Sequence, residues 1–397
     1  MVVGQFSQDV DIFVIGGGPA GYTAAFRAAE LGKTVAIVDP NIMLGGECLH
    51  SACIPSKSAL HHVDAEKAVA TLSKGLEQRC RALDIERLHG LAHFENKKTA
   101  QITGEVVSVV KFRKAIIASG SQKRSHDDFA EAIQVEDVYG ANVENKTILV
   151  VGNTPSAVES ATFLSKNNNV SVWGDGEILP SFERQLVKLV QRSLSICKEK
   201  PESSSYDQVV LATHRPPQTN SLQLANANID CTDGFITTND TCVTSNPKIY
   251  AVGECAGCHH SAAVAIAQGR VAAEAAWGLD AHLDAIFIPQ VAWTNPEIAQ
   301  VGEFDPSNTV SIKWGNSGLA VSLGQQNGVT MLSYEKDTQA IIGVGIVGAG
   351  ATEMISEGVL ALEMGATLYD LATTIRPHPT RSEMICEAAR TALAKIN

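Results

Sequence analysis

Two closely spaced cysteines are the first residues in this sequence whose type and spacing could carry out chemistry. Cys48 and Cys53 lie five positions apart in the stretch GGECLHSACIPSK, residues 45–57. In a regular helix, a five-residue step turns by about 140° and rises by about 7.5 Å, so the two side chains would point apart. A disulfide between them therefore needs an irregular turn or a helix start, which the paired glycines before Cys48 could provide.

A glycine-rich turn between two apolar runs precedes the cysteines. Residues 11–39 read DIFVIGGGPAGYTAAFRAAELGKTVAIVD, which predicts a strand, a helix and a strand, with Gly16, Gly18 and Gly21 in G-x-G-x-x-G spacing. The first glycine permits a tight turn, the second lets the backbone approach a pyrophosphate, and the third lets the helix pack on the sheet. The helix N-terminus attracts phosphate, and Asp39 is placed to bind a ribose. This segment predicts a dinucleotide site.

A second and weaker copy of the pattern follows. Residues 147–173, TILVVGNTPSAVESATFLSKNNNVSVW, again read as strand, glycine turn, helix and strand. This turn has Gly152, Thr154 and Ala157 where three glycines would be ideal, and Thr154 adds a side chain where the backbone should approach a phosphate. Two half-similar units predict two dinucleotide domains. The residues leave open whether the second is a minimal nicotinamide site or a unit that packs without binding.

The second copy is also short. One helix near residues 182–194 fills most of the segment between its second strand and the next apolar run. Asp175 follows that second strand, and a carboxylate there disfavours the 2′-phosphate of NADP by repulsion.

Three interpretations of the cysteine pair remain open on the residues alone: a zinc site, unreactive buried thiols and a redox pair. Zinc needs two further ligands, for which the nearest candidates are His50, His61 and His62. No second cysteine pair lies near in sequence, so zinc fits poorly. Unreactive thiols do not explain why the pair follows a dinucleotide pattern so directly.

Composition and charge disfavour several function classes. The chain has 397 residues, enough for two or three domains. Its net charge of −12, without a long basic run, argues against a nucleic-acid surface. No apolar run is long enough to span a membrane, and the N-terminus shows no secretory signal. We therefore expect a reducing, cytoplasmic location, where close cysteine pairs are more often catalytic or metal-binding than structural.

Taken together, these motifs resemble the flavin-dependent pyridine nucleotide–disulfide oxidoreductases. The resemblance rests on the cysteine motif, the first glycine turn, IIASGS, VVGNTPSAVES, YAVGECAG, WTNPEIAQVGE and HPTRSE, which together cover most of the chain. The Ile-Pro-Ser-Lys ending of the cysteine motif is similar to the dihydrolipoamide dehydrogenase branch of the family, and so is the pair Pro296-Glu297.

The resemblance implies roles for the residues of the cysteine motif. Cys48 and Cys53 would form a redox-active disulfide, in which Cys48 exchanges with the substrate and Cys53 lies against the flavin ring. Lys57 would sit near flavin N5, and Glu159 matches the family's carboxylate partner for that lysine. A lysine that is partly buried beside a flavin needs such a partner to remain charged.

The resemblance also implies a catalytic base near the C-terminus. His378 would take a thiol proton, and Glu383 would hold its other ring nitrogen. A cis bond before Pro379 would aim the ring. In the family this histidine reaches into the active site of the partner subunit, so we expect a homodimer with two composite sites.

FAD and NAD are the cofactors that the resemblance implies, and the residues of the second turn leave NAD binding open. One departure concerns the flavin, because Glu254 stands where the family usually has an aspartate that bonds the ribityl chain; glutamate can accept the same bond from one methylene further away. The expected cofactor-binding residues are Gly16, Gly18, Pro19, Ala20, Gly21, Asp39, Gly46, Lys57, Ser119, Gly120, Gly253, Glu254, Gly152 and Ala157.

A second short cysteine motif lies in YAVGECAGCHH. Cys255, Cys258 and His259 match the pattern of a c-type haem attachment site, but attachment needs export, and no export signal is present. A second redox pair or a metal knuckle is conceivable; we favour two packing residues at a loop-to-helix start, because short motifs often match by chance. No metal site is expected.

The sequence predicts an α/β fold with two dinucleotide-binding domains, the second inserted in the first and shortened, and a C-terminal α+β dimerisation domain. The expected boundaries are 1–140 with 216–284 for FAD, 141–215 for the reduced nucleotide unit, and 285–397 for the interface. The expected function is electron transfer between a dithiol, the cysteine pair, FAD and NAD. The dithiol would be lipoamide or a lipoylated carrier protein. The alternatives are another electron acceptor, if nicotinamide binding is lost, and a non-catalytic flavoprotein subunit.

Overall fold

The computed structural model describes residues 6–104, 107–140, 143–257, 261–284 and 286–396. In chain order, the strands are β1 (Phe6–Ile15), β2 (Val35–Asp39), β3 (Glu86–His89), β4 (Leu91–Asn96), β5 (Thr99–Thr103), β6 (Val107–Ile117), β7 (Ile133–Gln134), β8 (Thr147–Val151), β9 (Asn169–Trp173), β10 (Ser195–Ile196), β11 (Gln208–Leu211), β12 (Cys231–Thr232), β13 (Phe235–Ile236), β14 (Ile249–Ala251), β15 (Gln290–Ala292), β16 (Ile298–Gly302), β17 (Thr309–Lys313), β18 (Val329–Tyr334) and β19 (Ile341–Val347). The helices are α1 (Pro19–Glu30), α2 (Gly46–His50), α3 (Cys53–Leu60), α4 (Ala65–Ala82), α5 (Pro155–Leu164), α6 (Arg184–Gln191), α7 (Ala262–Ala276), α8 (Gly318–Ser322), α9 (Ala351–Glu363), α10 (Leu368–Thr373) and α11 (Glu383–Ile396). Within these ranges, no helix combines the length and the apolar character needed to cross a membrane.

The first of two compact units comprises Met1–Arg124 and Arg215–Asp284. Its sheet has the order β3-β2-β1-β6-β5-β4, and β14 pairs with the second half of β6. β1, β2, β3, β6 and β14 run parallel, whereas β4 and β5 are antiparallel additions. The apolar run expected to be a buried strand forms the end of β1, where Ile12, Phe13 and Val14 are fully buried.

The second unit comprises Ser125–His214 and Ala285–Asn397 and contains two sheets. The parallel sheet has the order β10-β9-β8-β11-β7, and the antiparallel sheet has the order β15-β16-β19-β18-β17. Apolar side chains of both sheets share one core, to which Val150 and Met331 belong. The segments TVSIKW, GVTMLSY and AIIGVGIVG contain β17, β18 and β19, and residues 351–365 contain α9.

The α/β fold class is confirmed by a mainly parallel sheet in the first unit and a parallel sheet in the second, both with helical crossovers. The three-part division into nucleotide and interface domains stays a prediction, because contacts within the chain define two units and place 125–214 together with 285–397.

The two strand–turn–helix copies have the same connectivity. β1–α1–β2 and β8–α5–β9 each form a parallel pair, and β6 and β11 lie parallel on the other side of β1 and β8. Residues 40–106, between β2 and β6, contain α2, α3, α4 and β3 to β5. Residues 174–207, between β9 and β11, contain α6 and the two-residue β10, which agrees with the shortening expected from the sequence.

Candidate active site

The three glycines of the first turn serve different purposes. Gly16 has a φ of +109°, and a Cβ added to it would lie 2.1 Å from the carbonyl oxygen of Ala118. A Cβ on Gly21 would lie 1.8 Å from the carbonyl oxygen of Gly16, so protein packing requires both glycines. Gly18 differs, because the atom nearest to an added Cβ is Cα of Gly46 at 3.8 Å. The protein leaves space beside Gly18 that it does not fill, as expected where a ligand approaches the backbone.

Gly18 lines a cavity of about 330 Å³ in the first unit. The cavity lies at the carboxyl ends of β1 and β6, where parallel α/β sheets bind their ligands. The expected cofactor-binding residues that line it are Gly16, Gly18, Pro19, Ala20, Asp39, Gly46, Ser119, Gly120, Gly253 and Glu254. Cys48 also lines it, so one cavity extends from the glycine turn to the cysteine motif.

Asp39 ends β2 on the wall of this cavity and is 7% exposed. Its two carboxylate oxygens accept hydrogen bonds from the backbone N–H groups of Gly17, at 2.6 Å, and Asn41, at 2.7 Å. The carboxylate therefore braces the glycine turn. Each oxygen has a second lone pair available, which is compatible with the ribose contact expected from the sequence.

Glu254 follows β14, which pairs with β6 on the side of β1 opposite to β2 and Asp39. It accepts a hydrogen bond from the hydroxyl of Ser121. Gly253 has a φ of +76°, and its N–H donates to the side-chain oxygen of Gln268 at 2.8 Å. Ser121, which also lines the cavity, was not among the residues expected from the sequence; it directly follows the expected pair Ser119-Gly120.

The cysteine motif folds as two short helices with a break between them. α2 ends at His50, and α3 begins at Cys53. Between them, Ala52 has φ −111° and ψ −94°, which is not helical. The side chains of Cys48 and Cys53 are thiols that share a hydrogen bond. The irregular turn expected from the spacing is confirmed, although it lies after Cys48 as well as before it, where Gly45 has a φ of +132°.

The environment of Cys48 disfavours its thiolate. The hydrogen bond to Cys53 and then burial raise the pKa of Cys48 far above the usual thiol range, while the positive charge of Lys57 acts in the opposite direction. Because the thiolate is the nucleophile in disulfide exchange, attack by Cys48 on a substrate disulfide would be helped by a nearby base.

Lys57 and Glu159 lie in different units. Lys57 is on α3, one helical turn after Cys53, which places its charge close to the thiols. Glu159 is on α5 and is 8% exposed; its carboxylate accepts a hydrogen bond from the N–H of Trp293 at 3.1 Å. The pairing of Lys57 with Glu159 stays a prediction.

His378 and Glu383 form a pair in the C-terminal segment. Nδ1 of His378 lies 2.6 Å from the carboxylate of Glu383, which also accepts from the N–H of Thr380 at 2.7 Å. These two hydrogen bonds lower the pKa of Glu383. The peptide bond between His378 and Pro379 is cis, as expected. Because Nδ1–H of the neutral imidazole donates to the carboxylate of Glu383, Nε2 of this ring, whose side chain is 79% exposed, presents a lone pair to a proton donor.

The second glycine turn resembles the first in its backbone. Gly152 has a φ of +148°, and a Cβ on it would lie 2.4 Å from the carbonyl oxygen of Ala212, as Gly16 does with Ala118. Ala157 is fully buried. Thr154 caps α5: its Oγ1 accepts from the N–H of Ala157 at 3.3 Å and donates to the carbonyl oxygen of Ala212 at 2.6 Å.

One ion pair beside the cysteine motif was not expected. Arg215, whose side chain is 7% exposed, pairs with Glu47, the residue before Cys48. The same guanidinium lies 3.5 Å from the carbonyl oxygen of Ser121. Glu47 stands inside the motif and could have been flagged, but nothing in the sequence connects it to an arginine so distant along the chain.

The second cysteine motif adds no identified centre. Cys255 is fully buried, and its thiol contacts the carbonyl oxygen of Val252 at 3.2 Å, which suits a packing residue. Cys258 and His259 lie outside the described residues. In the part of the chain that the structure covers, no cluster of three or more His, Cys, Asp or Glu residues could hold a metal ion.

Comparisons with known proteins give one consistent family. Residues 10–196 and 187–269 match the model of the pyridine nucleotide-disulphide oxidoreductases, and residues 288–389 match the dimerisation domain of those proteins. The chain is 31% identical to dihydrolipoyl dehydrogenase of Geobacillus stearothermophilus and 32% identical to that of Bacillus subtilis, with coverage of 99% of this chain and 98% of each relative. These alignments run over 462 and 463 positions, so the relatives contain segments that the 397 residues of this chain lack.

A similar fold occurs in the HOCl-induced flavoprotein disulfide reductase RclA from Escherichia coli. The TM-score is 0.88 at 20% sequence identity, and the match covers 96% of this chain and 99% of that one. At this identity, the likeness concerns the fold alone.

Proposed function

The chain belongs to the pyridine nucleotide–disulphide oxidoreductase family, and on that premise we propose that it exchanges electrons with a dithiol of the dihydrolipoamide type. Enzymes of this family are flavoprotein disulfide reductases that bind FAD and use NAD(P)H. One observation carries the proposal: Cys48, hydrogen-bonded to Cys53, lines the same cavity as the first glycine turn.

The cavity residues fit FAD. Gly18 leaves room beside the backbone at the N-terminus of α1, and no side chain caps that helix in the described structure. The helix end would hold the pyrophosphate, Asp39 the ribose and Glu254 the ribityl chain. Bound FAD supplies a two-electron carrier next to the thiols.

The cysteine pair would react by disulfide exchange. A substrate thiolate attacks Sγ of Cys48 in the Cys48–Cys53 disulfide; that disulfide bond breaks, and Cys53 leaves as a thiolate. The second substrate thiol loses its proton and attacks the substrate sulfur of the mixed disulfide, so the substrate disulfide forms and Cys48 is released. Two electrons pass to the cysteines, and Cys48, released as a thiolate, takes up one of the two protons that the substrate loses, as its raised pKa favours.

His378 would serve as the base for the substrate thiols. Its pairing with Glu383 leaves Nε2 as the proton acceptor and compensates the charge of the imidazolium that forms. The match of residues 288–389 to the family's dimerisation domain supports a homodimer, in which His378 of one subunit would serve the cysteines of the other.

The domain roles follow from the same premise. We propose that 1–140 with 216–284 binds FAD, that 141–215 is a reduced nucleotide unit and that 285–397 forms the subunit interface. The cavity in the first unit and the family match at 288–389 support the first and last assignments.

The dithiol substrate is proposed from the relatives. Dihydrolipoyl dehydrogenases at 31% and 32% identity align over almost the whole chain, which supports lipoamide, either free or attached to a carrier protein. A second candidate keeps the thiol chemistry but uses another electron acceptor. The hydroxyl of Thr154, which caps α5 directly after the second glycine turn, favours this second candidate.

Anaerobic titration of the FAD-loaded protein with dihydrolipoamide tests the thiol chemistry. We expect a long-wavelength charge-transfer band and flavin reduction in the wild type, and flavin reduction slowed by about 10³-fold or more in Cys48→Ser, because the exchanging sulfur is lost. Cys231→Ser is the matched control, since Cys231 is an exposed cysteine outside the motif. Flavin reduction by dihydrolipoamide in Cys48→Ser at the wild-type rate would contradict the proposal.

A further inference from the structure

The second glycine turn differs from the first at the position where a dinucleotide needs open backbone. We propose that Thr154 closes this position, so that the second unit does not hold a nicotinamide dinucleotide as the first unit holds FAD. The inference rests on the proposed function and deepens it, because it concerns the second substrate of the same enzyme.

Hydrogen bonds establish which residues correspond in the two turns. The N–H of Gly16 donates to the carbonyl oxygen of Val38 at 2.8 Å, and the N–H of Gly152 donates to that of Trp173 at 2.7 Å. Ala118 and Ala212 likewise follow the strands β6 and β11, and their N–H groups donate to Ile15 at 2.7 Å and to Val151 at 2.8 Å. Counting from Gly16 and Gly152, Thr154 therefore stands where the first turn has Gly18.

The N-termini of the two helices present different surfaces. Both helices begin with a proline, Pro19 in α1 and Pro155 in α5, so neither first residue donates an N–H. No side chain caps α1 in the described residues, whereas in α5 the N–H of Ala157 donates both to Oγ1 of Thr154, at 3.3 Å, and to the carbonyl oxygen of Thr154, at 3.1 Å. Thr154 thus occupies a donor that a phosphate at the helix end would need.

Thr154 is fixed in this position. Its hydroxyl carries one proton, which it donates to the carbonyl oxygen of Ala212 at 2.6 Å, across the point where β8 and β11 diverge. The residue is 8% exposed. Rotating the side chain away would break this buried hydrogen bond and leave the carbonyl oxygen of Ala212 without the hydroxyl donor. A phosphate therefore does not displace the hydroxyl easily.

The second turn also differs from the first at the position where Asp39 is expected to bind a ribose. Asp39 directly follows Val38, and the residue that directly follows Trp173 is Gly174. A Cβ on Gly174 would lie 2.9 Å from Cβ of Asn153, so a carboxylate cannot be placed there unless the turn shifts.

The chain after β9 packs against the second glycine turn. The side chain of Asn153 donates to the carbonyl oxygen of Asp175 at 3.1 Å, and the N–H of Leu179 donates to the carbonyl oxygen of Asn153 at 2.8 Å. Leu179 is fully buried. At the carboxyl end of the second sheet, where a dinucleotide would bind, the chain packs on its own glycine turn.

A pair of variants separates the two effects of Thr154. Thr154→Gly and Thr154→Ala both remove the capping hydroxyl, but only the glycine also removes Cβ. Glycine is itself accepted at helix N-caps, so Thr154→Gly is expected to fold. NADH binding to FAD-loaded protein is measured by calorimetry, with far-UV circular dichroism and FAD content as controls for folding.

We expect no NADH binding by the wild type up to about 1 mM, and binding by Thr154→Gly that is about tenfold tighter than by Thr154→Ala, because Cβ blocks the approach of phosphate to the backbone. Micromolar binding of NADH by the wild type would overturn the inference. Equal affinities of Thr154→Gly and Thr154→Ala would overturn it as well, because the side chain would then not be the obstacle.

Reduction by dihydrolipoamide in the same samples keeps this inference distinct from the proposed function. Flavin reduction by dihydrolipoamide without NADH binding supports both. Flavin reduction by neither compound removes the dithiol proposal, while the comparison of glycine and alanine at position 154 still decides the role of Thr154. Flavin reduction by NADH but not by dihydrolipoamide would contradict both the dithiol proposal and the inference about Thr154.

Discussion

The two glycine turns of this protein have similar backbone conformations, but they differ in the space that they leave beside the central residue of the turn. Gly16 and Gly152 both have positive φ and both pass close to a carbonyl oxygen of the neighbouring strand. Beside Gly18 there is room and a cavity, whereas at the corresponding position the hydroxyl of Thr154 is bound to Ala212. The difference shows that the packing role of a glycine turn is separable from its binding role, because different glycines serve the two.

Removing FAD is expected to have the largest effect and to act on the first turn alone. At free FAD about a thousandfold above its Kd, binding contributes about 4 kcal/mol to the stability of the unit that holds it, equivalent to about 10 °C in melting temperature. Differential scanning calorimetry of FAD-loaded protein and apoprotein measures this shift, and adding FAD back is the control. An apoprotein that melts like the FAD-loaded protein would remove the basis for calling the first turn a binding turn.

The shared backbone predicts equal damage from alanine in the two turns. Gly16→Ala and Gly152→Ala should each destabilise their unit by about 3 kcal/mol, because φ is positive and Cβ would lie within 2.4 Å of a carbonyl oxygen. Unfolding midpoints in urea measure the effect. Gly75→Ala is the matched control, since a Cβ on Gly75, within α4, meets no atom within 4 Å. A large loss for one turn and none for the other would break the equivalence.

Copying the second turn into the first should abolish tight FAD binding. Gly18→Thr is expected to weaken FAD binding by about 100-fold, because the side chain enters the space needed by the phosphates and removes charge-assisted hydrogen bonds worth about 1.5–3 kcal/mol each. The protein should still fold, since the nearest atom to the new Cβ is 3.8 Å away. FAD titration of the apoprotein measures the change. Wild-type affinity in Gly18→Thr would show that a side chain at this position does not exclude a dinucleotide.

The smallest expected effect concerns the cap itself. Thr154→Val keeps the shape of the side chain but loses both hydrogen bonds of Oγ1, which should cost about 1 kcal/mol. Thr162→Val is the control on the same helix, because its hydroxyl donates to the carbonyl oxygen of Val158 within α5, and losing that bond should change stability little. Melting temperatures of the two variants test the difference, and equal values would mean that the cap does not stabilise the second turn.

Much of the fold was predictable because its signals are local. The apolar runs that end in Gly16 and Gly152 became β1 and β8, and the irregular turn needed between Cys48 and Cys53 follows from helix geometry over five residues. The pairing of His378 with Glu383 was also expected, because the two residues lie close together on one segment. Most of the expected cofactor residues line one cavity for the same reason: they sit at strand ends, and the ends of parallel strands meet.

What the sequence determined by itself is the repeated strand–turn–helix plan and the identity of the reactive groups, since these depend on residue type and short spacing. Only the tertiary structure decided which hydrogen-bond partners the polar side chains have. The threonine at position 154 could have faced solvent or a ligand, but its hydroxyl is bound to Ala212, 58 residues away. Ser121 and Glu254, 133 residues apart, meet in the same way. A hydrogen bond needs two atoms within about 3 Å, and only the folded sheet brings such distant residues that close.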